Sequence, residues 1–276
     1  MISVLWSCSN KNFKKIEQTS QTDLIASQGE NLYAFISDVH LSENNNEKVE
    51  LFIATVRLLA EKQGVLYLLG DIFDFWAGND GSKDSQQNVL SVLKEAVDAG
   101  TKIFLITGNR DFLISDDFSR QTGVAILPEL YPVIINNNKF LLTHGDLLCT
   151  KDFSYQIFRK IIRSFLFKWI FSSLPFNLKT ALVHQTKKQT KKSVSKKSMD
   201  IMDVNHKTVV NFMTKHDATC LIHGHTHHAG IHEFSENDKK LSRIVLGDWD
   251  GCSSILIICQ NEKQLISART FVGNHS

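Results

Sequence analysis

The sequence has few cysteines, no long apolar run and little net charge, and each of these shortages excludes a class of protein. Its five cysteines form no C-x-x-C pair, so a disulfide framework is not expected and a reducing compartment is. No segment approaches the ~20 consecutive apolar residues that a membrane-spanning helix needs. A net charge of +2 is too small to indicate nucleic-acid binding by itself.

What remains is the composition of an ordinary globular protein. The chain has 276 residues, of which 42% are hydrophobic and 22% charged, which suits one α/β domain or one domain with an insertion. Residues 1–30 are polar and unpatterned, and the apolar run at their start is too short for a signal peptide. We therefore predict a loosely held extension at 1–30 and a domain over 31–276, with a helical insertion at about 153–200.

Three apolar runs alternate with two helical patterns in the first 110 residues. Short apolar runs are typical of buried strands, and apolar residues at a 3.6-residue spacing are typical of helices. The order predicts an α/β sheet with right-handed crossovers. The predicted strands are Leu32–Ile36, Val65–Leu69 and Ile103–Ile106, and the predicted helices are Lys48–Lys62 and Gln86–Ala99.

The second half of the chain contains strands joined by short turns, interrupted by a basic, helical stretch at 153–216. Asn136–Asn138 has the composition of a hairpin turn. No internal repeat is present. The predicted strands here are Val133–Ile135, Phe140–Leu142, Cys220–Ile222, Ile231–Phe234, Ser242–Leu246 and Ile255–Ile258.

Five of the predicted strands end in residues that can bind a metal ion. The carboxyl ends of strands are where ligands gather in α/β sheets, so we expect these side chains to meet. Oxygen and nitrogen ligands together suit Mn²⁺, Fe²⁺ or Zn²⁺ better than Ca²⁺. Seven ligands are too many for one ion and fit a pair of ions that share a carboxylate. The seven are Asp38, His40, Asp71, Asn109, His144, His225 and His227.

Each cluster taken alone could have a purely structural role. A single histidine or Asp-x-His is more often a polar residue with ordinary hydrogen bonds than a metal ligand. Unrelated polar residues would not all fall at strand ends, however, and this favours a site for the whole set. Four other histidines are interpreted as surface or loop residues: His206, His216, His228 and His232.

The motifs D-V-H, G-D-I-F-D, G-N-R-D, H-G-D and G-H-T-H, in this order, resemble those of the calcineurin-like metallophosphoesterases. Within these motifs, the segment Gly108–Leu113 (GNRDFL) resembles the family of UDP-2,3-diacylglucosamine pyrophosphohydrolases of lipid A synthesis. The reason is Arg110, because many other members of the superfamily have His at this position. The resemblance covers about Leu32 to Ile258. It implies a four-layer αββα sandwich with a helical lid insertion, and two Mn²⁺ per subunit. The implied ligands are Asp38, His40, Asp71 and His227 for one ion and Asp71, Asn109, His144 and His225 for the other.

The activity implied by the resemblance is hydrolysis of the pyrophosphate of UDP-2,3-diacylglucosamine, by attack of metal-activated water on the α-phosphate. The products are UMP and 2,3-diacylglucosamine 1-phosphate. Arg110 would neutralise charge on the phosphate because its planar fork suits phosphate oxygens. The implied catalytic residues are Asn109, Arg110 and His144, and the implied substrate contacts are Asn109, Arg110, Asp152, Thr190, Lys197 and His225. Three acidic residues are interpreted either as partners that orient ligand histidines or Arg110, or as turn residues: Asp74, Asp111 and Asp146.

The insertion differs from the family at two positions, one of which is an implied substrate contact. Thr190 stands where the family commonly has Ser, and Val194 stands where it has Asn. Within 153–197, aromatic and aliphatic residues alternate with lysines and arginines. This pattern fits a helix that packs on the core and is followed by a solvated loop. It also fits a lid that holds acyl chains and contacts an anionic membrane. The second interpretation predicts a cytoplasmic enzyme peripheral to the inner membrane.

Three other functions are compatible with the same residues. A metallophosphoesterase acting on a soluble nucleotide or a phosphoprotein would share the metal site. A non-catalytic scaffold would share the fold, although scaffolds lose ligands and all seven are present here. Nucleic-acid binding is a weaker hypothesis that rests on the lysines after 187, and we do not expect it. The sequence leaves the oligomeric state open.

Overall fold

A computed structural model describes most of the chain from Leu32 onward. The predicted extension at 1–30 lies outside the described residues, as do Thr190, Val194 and Lys197. The domain boundaries therefore remain predictions. The described residues are 32–76, 78, 84–175, 178–179, 181–182, 203–249, 255–260 and 262–273.

A six-stranded mixed sheet combines four strands from the first half of the domain with two from its C-terminal end, in the order β11-β10-β1-β2-β3-β4. Strands β1 to β4 run parallel to one another, and β10 pairs antiparallel with both β1 and β11. Its strands are β1 (Tyr33–Ile36), β2 (Val65–Leu68), β3 (Lys102–Leu105), β4 (Ala125–Ile126), β10 (Ile255–Cys259) and β11 (Glu262–Ile266).

A five-stranded sheet follows, in the order β5-β6-β7-β9-β8. Strands β6, β7 and β9 are parallel, and the edge strands β5 and β8 pair antiparallel with their neighbours. Its strands are β5 (Leu130–Ile135), β6 (Asn138–Thr143), β7 (Cys220–His223), β8 (Gly230–Glu236) and β9 (Lys239–Val245).

The described helices lie outside these sheets. The order from α1 to α3 continues the predicted crossovers, and α4 and α5 belong to the insertion. They are α1 (Asn46–Glu61), α2 (Asp84–Asp98), α3 (Asp116–Thr122), α4 (Phe153–Arg163), α5 (Phe165–Ser172), α6 (His206–Lys215) and α7 (Ala268–Gly273).

The two sheets face each other across an apolar core. Phe35, Tyr67 and Phe104 stack across β1, β2 and β3 with ring centroids 5.0 Å apart, and Phe140 and Ile222 belong to the same cluster from the other sheet. A second cluster joins the outer face of the first sheet to α1, α2, α3 and α7, and a third joins the outer face of the second sheet to α6. This arrangement of helices, sheet, sheet and helices confirms the αββα prediction.

The described part of the insertion is not a single helix packed on the core, which was one of the two interpretations of the sequence. Helices α4 and α5 are separate, because Ser164 ends the first and caps the second, accepting a hydrogen bond from the backbone N–H of Phe167. Of their apolar side chains, Ile162 and Phe171 are buried. Eight others are exposed and form what we call the apolar patch: Phe153, Ile157, Phe158, Ile161, Phe165, Leu166, Trp169 and Ile170.

In the described part of the chain, no helix combines the length and the apolar character needed to cross a bilayer. The buried cysteines there, Cys149, Cys220 and Cys259, form no disulfide. Cys220 and Cys259 lie in the core, as the sequence interpretation expected.

Candidate metal centre

All seven predicted ligands lie along one edge of the sandwich, where the parallel strands of both sheets end. Asp38, Asp71 and Asn109 follow β1, β2 and β3. His144 follows β6, and His225 and His227 follow β7. Two contacts tie the sheets together here: the backbone N–H of His225 donates to Asp38 Oδ2 at 2.8 Å, and His144 Nδ1 lies 2.9 Å from the Leu69 carbonyl. The predicted convergence in space is therefore present.

The ligand atoms form two groups, each compact enough to surround an ion. Asp38, His40 and His227 make up one group, and Asp38, Asp71 and His144 the other, with potential ligand atoms all within 4.8 Å of one another in each. Asp38 belongs to both groups, whereas the sequence resemblance gives the shared role to Asp71. His225 lies beside the second group, with its ring centroid 5.0 Å from that of His144.

Asn109 completes the second group. Its side-chain oxygen lies 3.1 Å from His144 Nε2, and that nitrogen lies 3.8 Å from Asp71 Oδ1. An amide oxygen, a carboxylate oxygen and an imidazole nitrogen directed to one point suit a divalent transition metal.

The backbone at the site adopts conformations that ordinary residues avoid. Five predicted ligands have a positive φ: Asp38 (52°), His40 (54°), Asp71 (54°), His225 (67°) and His227 (58°). A left-handed conformation at a non-glycine residue costs free energy and survives where the surrounding structure demands it, commonly at functional sites. The turn after each strand redirects the side chain into the cluster.

Two glycines leave room for the carboxylates. A Cβ added at Gly108 would overlap Asp71 Oδ1, and one added at Gly224 would overlap Asp38 Oδ2. The glycines in G-N-R-D and G-H-T-H are therefore needed because the acidic side chains pass directly against the backbone.

The unpartnered polar atoms fit a bound cation. Both ring nitrogens of His40 are buried and, among the residues that the structure describes, neither has a hydrogen-bond partner. A buried imidazole without partners is costly unless its lone pair is used. Together with two fully buried aspartates, this histidine gives a donor set that fits divalent metal ions.

The electrostatic environment keeps two of the four ligand histidines, His40 and His225, in the neutral form, whereas nearby carboxylates, opposed by burial, raise the pKa of His144 and of His227. Burial, followed by the charge of Arg110, lowers the pKa of His40 to about 3. Burial, followed by the charge of His144, lowers the pKa of His225 to about 4. Both rings are therefore neutral at pH 7, the form that binds metals. Burial raises the pKa of Asp71 to about 7, and a nearby cation would favour its ionised form.

Arg110 lies at the mouth of this cluster, 39% exposed. Its backbone N–H donates to Asp71 Oδ1 at 2.8 Å, its Nε lies 3.6 Å from Asp71 Oδ2, and its Nη1 donates to Asp74 Oδ1 at 2.6 Å. Asp74 thus orients Arg110, as one of the two sequence interpretations expected. The guanidinium is placed beside the metal ligands and in contact with solvent, where an incoming phosphate could reach it.

The other two acidic residues interpreted as orienting partners have different contacts. Asp111 accepts hydrogen bonds from the backbone N–H groups of Gly108 (2.6 Å) and Ile72 (2.8 Å), so it shapes the loop. Asp146 accepts from Arg159 at 2.7 Å and from Arg163 at 3.3 Å. Among the described residues, neither carboxylate hydrogen-bonds to the side chain of a ligand histidine or of Arg110.

Helix α4 covers one side of the cluster. The Tyr155 ring stacks on His225 with centroids 6.0 Å apart. Asp152, a predicted substrate contact, caps the helix by accepting a hydrogen bond from the backbone N–H of Tyr155 at 3.1 Å. Its side chain is partly exposed, and its role toward substrate remains a prediction.

Sequence reasoning missed one residue of the site. Asp248 follows β9, a sixth strand with its carboxyl end at the same edge, and its Oδ2 lies 3.2 Å from His227 Nδ1. A carboxylate behind a ligand histidine is a common partner in metal sites. The available signal was the G-D-W sequence at 247–249, directly after a predicted strand.

The fold and this edge define the chain as a calcineurin-like phosphoesterase, whose family model matches residues 32–229. Proteins named UDP-2,3-diacylglucosamine hydrolase are similar to it over most of their length. The one from Vibrio atlanticus is 36% identical over 84% of this chain and 95% of its own, and the one from Vibrio parahaemolyticus is 38% identical over 80% and 92%. The one from Tolumonas auensis is 38% identical over 84% and 95%. The chain therefore belongs to the family of UDP-2,3-diacylglucosamine hydrolases.

Proposed function

We propose that this protein hydrolyses the pyrophosphate bond of UDP-2,3-diacylglucosamine in lipid A biosynthesis, releasing UMP and 2,3-diacylglucosamine 1-phosphate. The observation that carries the proposal is the position of α4. Its inner face contacts the cluster through Tyr155 and His225, while its outer side chains belong to the exposed apolar patch. A substrate with a pyrophosphate and two acyl chains needs a cationic centre and an apolar surface next to each other.

The residues at the strand ends would hold two Mn²⁺ ions per subunit. The sequence resemblance divides the seven candidate ligands between two ions that share Asp71, and the grouping in the structure adds Asp38 as a second carboxylate close enough to contribute to both. When bound, the ions supply positive charge to the phosphoryl oxygens and lower the pKa of a water molecule.

The chain's own residues position the substrate. The Arg110 fork would donate to the α-phosphate oxygens as their negative charge grows, and Asp74 fixes its direction through the 2.6 Å hydrogen bond. The Asn109 amide nitrogen would donate to the same phosphate while its oxygen faces His144. His225, neutral at pH 7, remains able to contact the phosphate or an ion. Asp152, Thr190 and Lys197 would contact the sugar and the nucleotide.

The apolar patch supports a peripheral position at the cytoplasmic face of the inner membrane. Large exposed apolar side chains concentrated on two consecutive helices are typical of a binding surface. Phe165 is 84% exposed and Trp169 61%, and an interfacial helix buries such side chains among lipid headgroups and upper acyl chains. An enzyme bound there would meet an acylated substrate without extracting it fully into water.

Release of UMP from acylated and deacylated substrate tests the proposal. Purified protein with Mn²⁺ is expected to cleave UDP-2,3-diacylglucosamine much faster than its deacylated analogue. An Asp71→Asn variant is the inactive comparison, and Asp98→Asn, which removes an exposed carboxylate paired with Lys94, is the matched control. Absence of UMP would reject the substrate. Equal rates on the two substrates would favour a phosphoesterase for soluble nucleotides.

A further inference from the structure

Two arginines of α4, one helical turn apart, are directed inward rather than toward solvent. Arg159 is 9% exposed, and the Arg163 side chain is also 9% exposed. The sequence interpretation placed both among the basic residues of a membrane-facing lid, and their burial contradicts this. Residues four apart on a helix share a face, so the two guanidinium groups enter the domain side by side.

The two groups form an ion network with two carboxylates. Arg159 donates to Asp146 Oδ2 and to Glu129 Oε2, both at 2.7 Å. Arg163 pairs with Glu129 and donates to Asp146 Oδ2 at 3.3 Å. The charges of Arg163, His144 and Arg159 hold the pKa of Asp146 below its usual range, although burial opposes them. Each of the four charged groups is thus paired with an opposite charge, although the buried Nε of Arg163 has no hydrogen-bond partner among the described residues.

Arg163 also reaches the loop that carries Asn109 and Arg110. Its Nη2 donates to the carbonyl of Gly108 at 2.8 Å and to that of Thr107 at 3.2 Å. Its Nη1 donates to Thr107 Oγ1 at 3.3 Å. Gly108 is the residue that passes directly against Asp71, so one guanidinium holds the backbone between β3 and the side chains of Asn109 and Arg110.

We propose that Arg163 is a positioning residue that ties α4 to the Thr107–Gly108 backbone and thereby sets the position of Arg110 and Asn109 over the metal cluster. Arg159 supports it by holding Glu129 and Asp146. The inference rests on the proposed function in that Arg110 is taken to act on a phosphate. Arg163 itself is not proposed to touch substrate, because its guanidinium is enclosed by the carbonyls of Thr107 and Gly108 and by the two carboxylates.

The chemistry of the position requires arginine. Two nitrogens of one planar group donate to oxygens of residues from three separate segments, after β3, before β5 and after β6. Lysine offers a single ammonium on a flexible stem and cannot satisfy these directions at once. Misplacement of a reacting group by about 1 Å can lower a rate by roughly 10²-fold, so a small shift of this loop suffices for a large effect.

A double-mutant cycle with Arg110 tests the coupling. We expect Arg163→Met to lower kcat by about 10²-fold with metal content unchanged, and Arg163→Lys to restore little of it. In an Arg110→Ala background, Arg163→Met should cost less than about 3-fold more, because coupled residues are not additive. Arg269→Met, which breaks an exposed Arg–Glu pair with Glu47, is the matched control and should leave kcat unchanged. Additive losses would overturn the proposal.

Hydrogen exchange of the loop provides a readout that does not need activity. The backbone N–H groups of Gly108 and Arg110 are hydrogen-bonded to Asp111 and Asp71, so they should exchange slowly in the wild type. We expect Arg163→Met to accelerate exchange in peptides covering 107–111 by about tenfold or more, with exchange in α1 unchanged. Unchanged exchange at 107–111 would overturn the proposal, even if no substrate were cleaved. If the methionine variant does not fold, Arg163→Lys serves in both experiments.

Discussion

Asp248 offers a sharp test of how the site holds its metals. Its Oδ2 lies 3.2 Å from His227 Nδ1, while His227 Nε2 lies 3.2 Å from Asp38 Oδ1. A proton on Nδ1 that is shared with Asp248 leaves the Nε2 lone pair directed at the cluster. Asp248→Ala removes this orientation and the negative charge behind the ring but leaves every candidate ligand in place.

The loss of metal affinity expected for Asp248→Ala is at the low end of the range for carboxylates that hydrogen-bond to a ligand histidine. Removing the carboxylate behind a ligand histidine typically costs 10- to 100-fold in metal affinity. His227 is 36% exposed and Asp248 32%, so water can replace part of the lost hydrogen bond. We therefore expect a loss of about tenfold in Mn²⁺ affinity, or ~1.4 kcal/mol, and a smaller loss for Asp248→Asn, whose oxygen still accepts the hydrogen bond.

Titration calorimetry of chelator-treated protein with Mn²⁺ measures this affinity directly, and the Mn²⁺ dependence of turnover should move by the same factor. Asp217→Ala is the matched control, because Asp217 pairs with Lys139 at an exposed position, and it should bind Mn²⁺ as the wild type does. An affinity of Asp248→Ala within about twofold of wild type would refute the orienting role of the carboxylate.

Three other substitutions test a metal ligand, the arginine beside the cluster and the apolar patch. Asp71→Ala should abolish turnover and lower the metal content measured by elemental analysis, because a buried ligand is lost; full metal occupancy would contradict its assignment. Arg110→Ala should retain the metals and lower kcat by about 10²–10³-fold, and near-normal turnover would remove it from the mechanism. Trp169→Ser should weaken sedimentation with anionic vesicles, whereas Ile134→Ser, similarly exposed on β5, should not; equal binding by all forms would exclude the apolar patch as the contact.

Local patterns were sufficient to predict the strands and the ligands that follow them. The apolar runs before Asp38, Asp71 and His144 became β1, β2 and β6 within one or two residues of the predicted bounds. Short elements were missed: β4 has two residues, and α3 has seven. Elements of this length contain too few residues to show a period.

Charge patterns were less informative than apolar ones. A basic residue on an amphipathic helix has the same appearance in the sequence whether it meets lipid, solvent or a buried carboxylate. Arg159 and Arg163 are directed to Glu129 and Asp146, partners that lie 13 to 34 residues away in the chain. Only the packing of α4 against two loops brings those groups together.

The sequence by itself determined where the ligand-bearing strands lie along the chain, the identity of the seven candidate ligands and the glycines beside them, because these follow from local hydrophobicity and the chemistry of each residue. The tertiary structure alone decided which ligands share a group, that Asp248 lies behind His227, and which face of α4 is buried. The reason is physical. Such contacts depend on how two sheets and a helix meet in space, and residues far apart in the chain carry no local trace of that meeting.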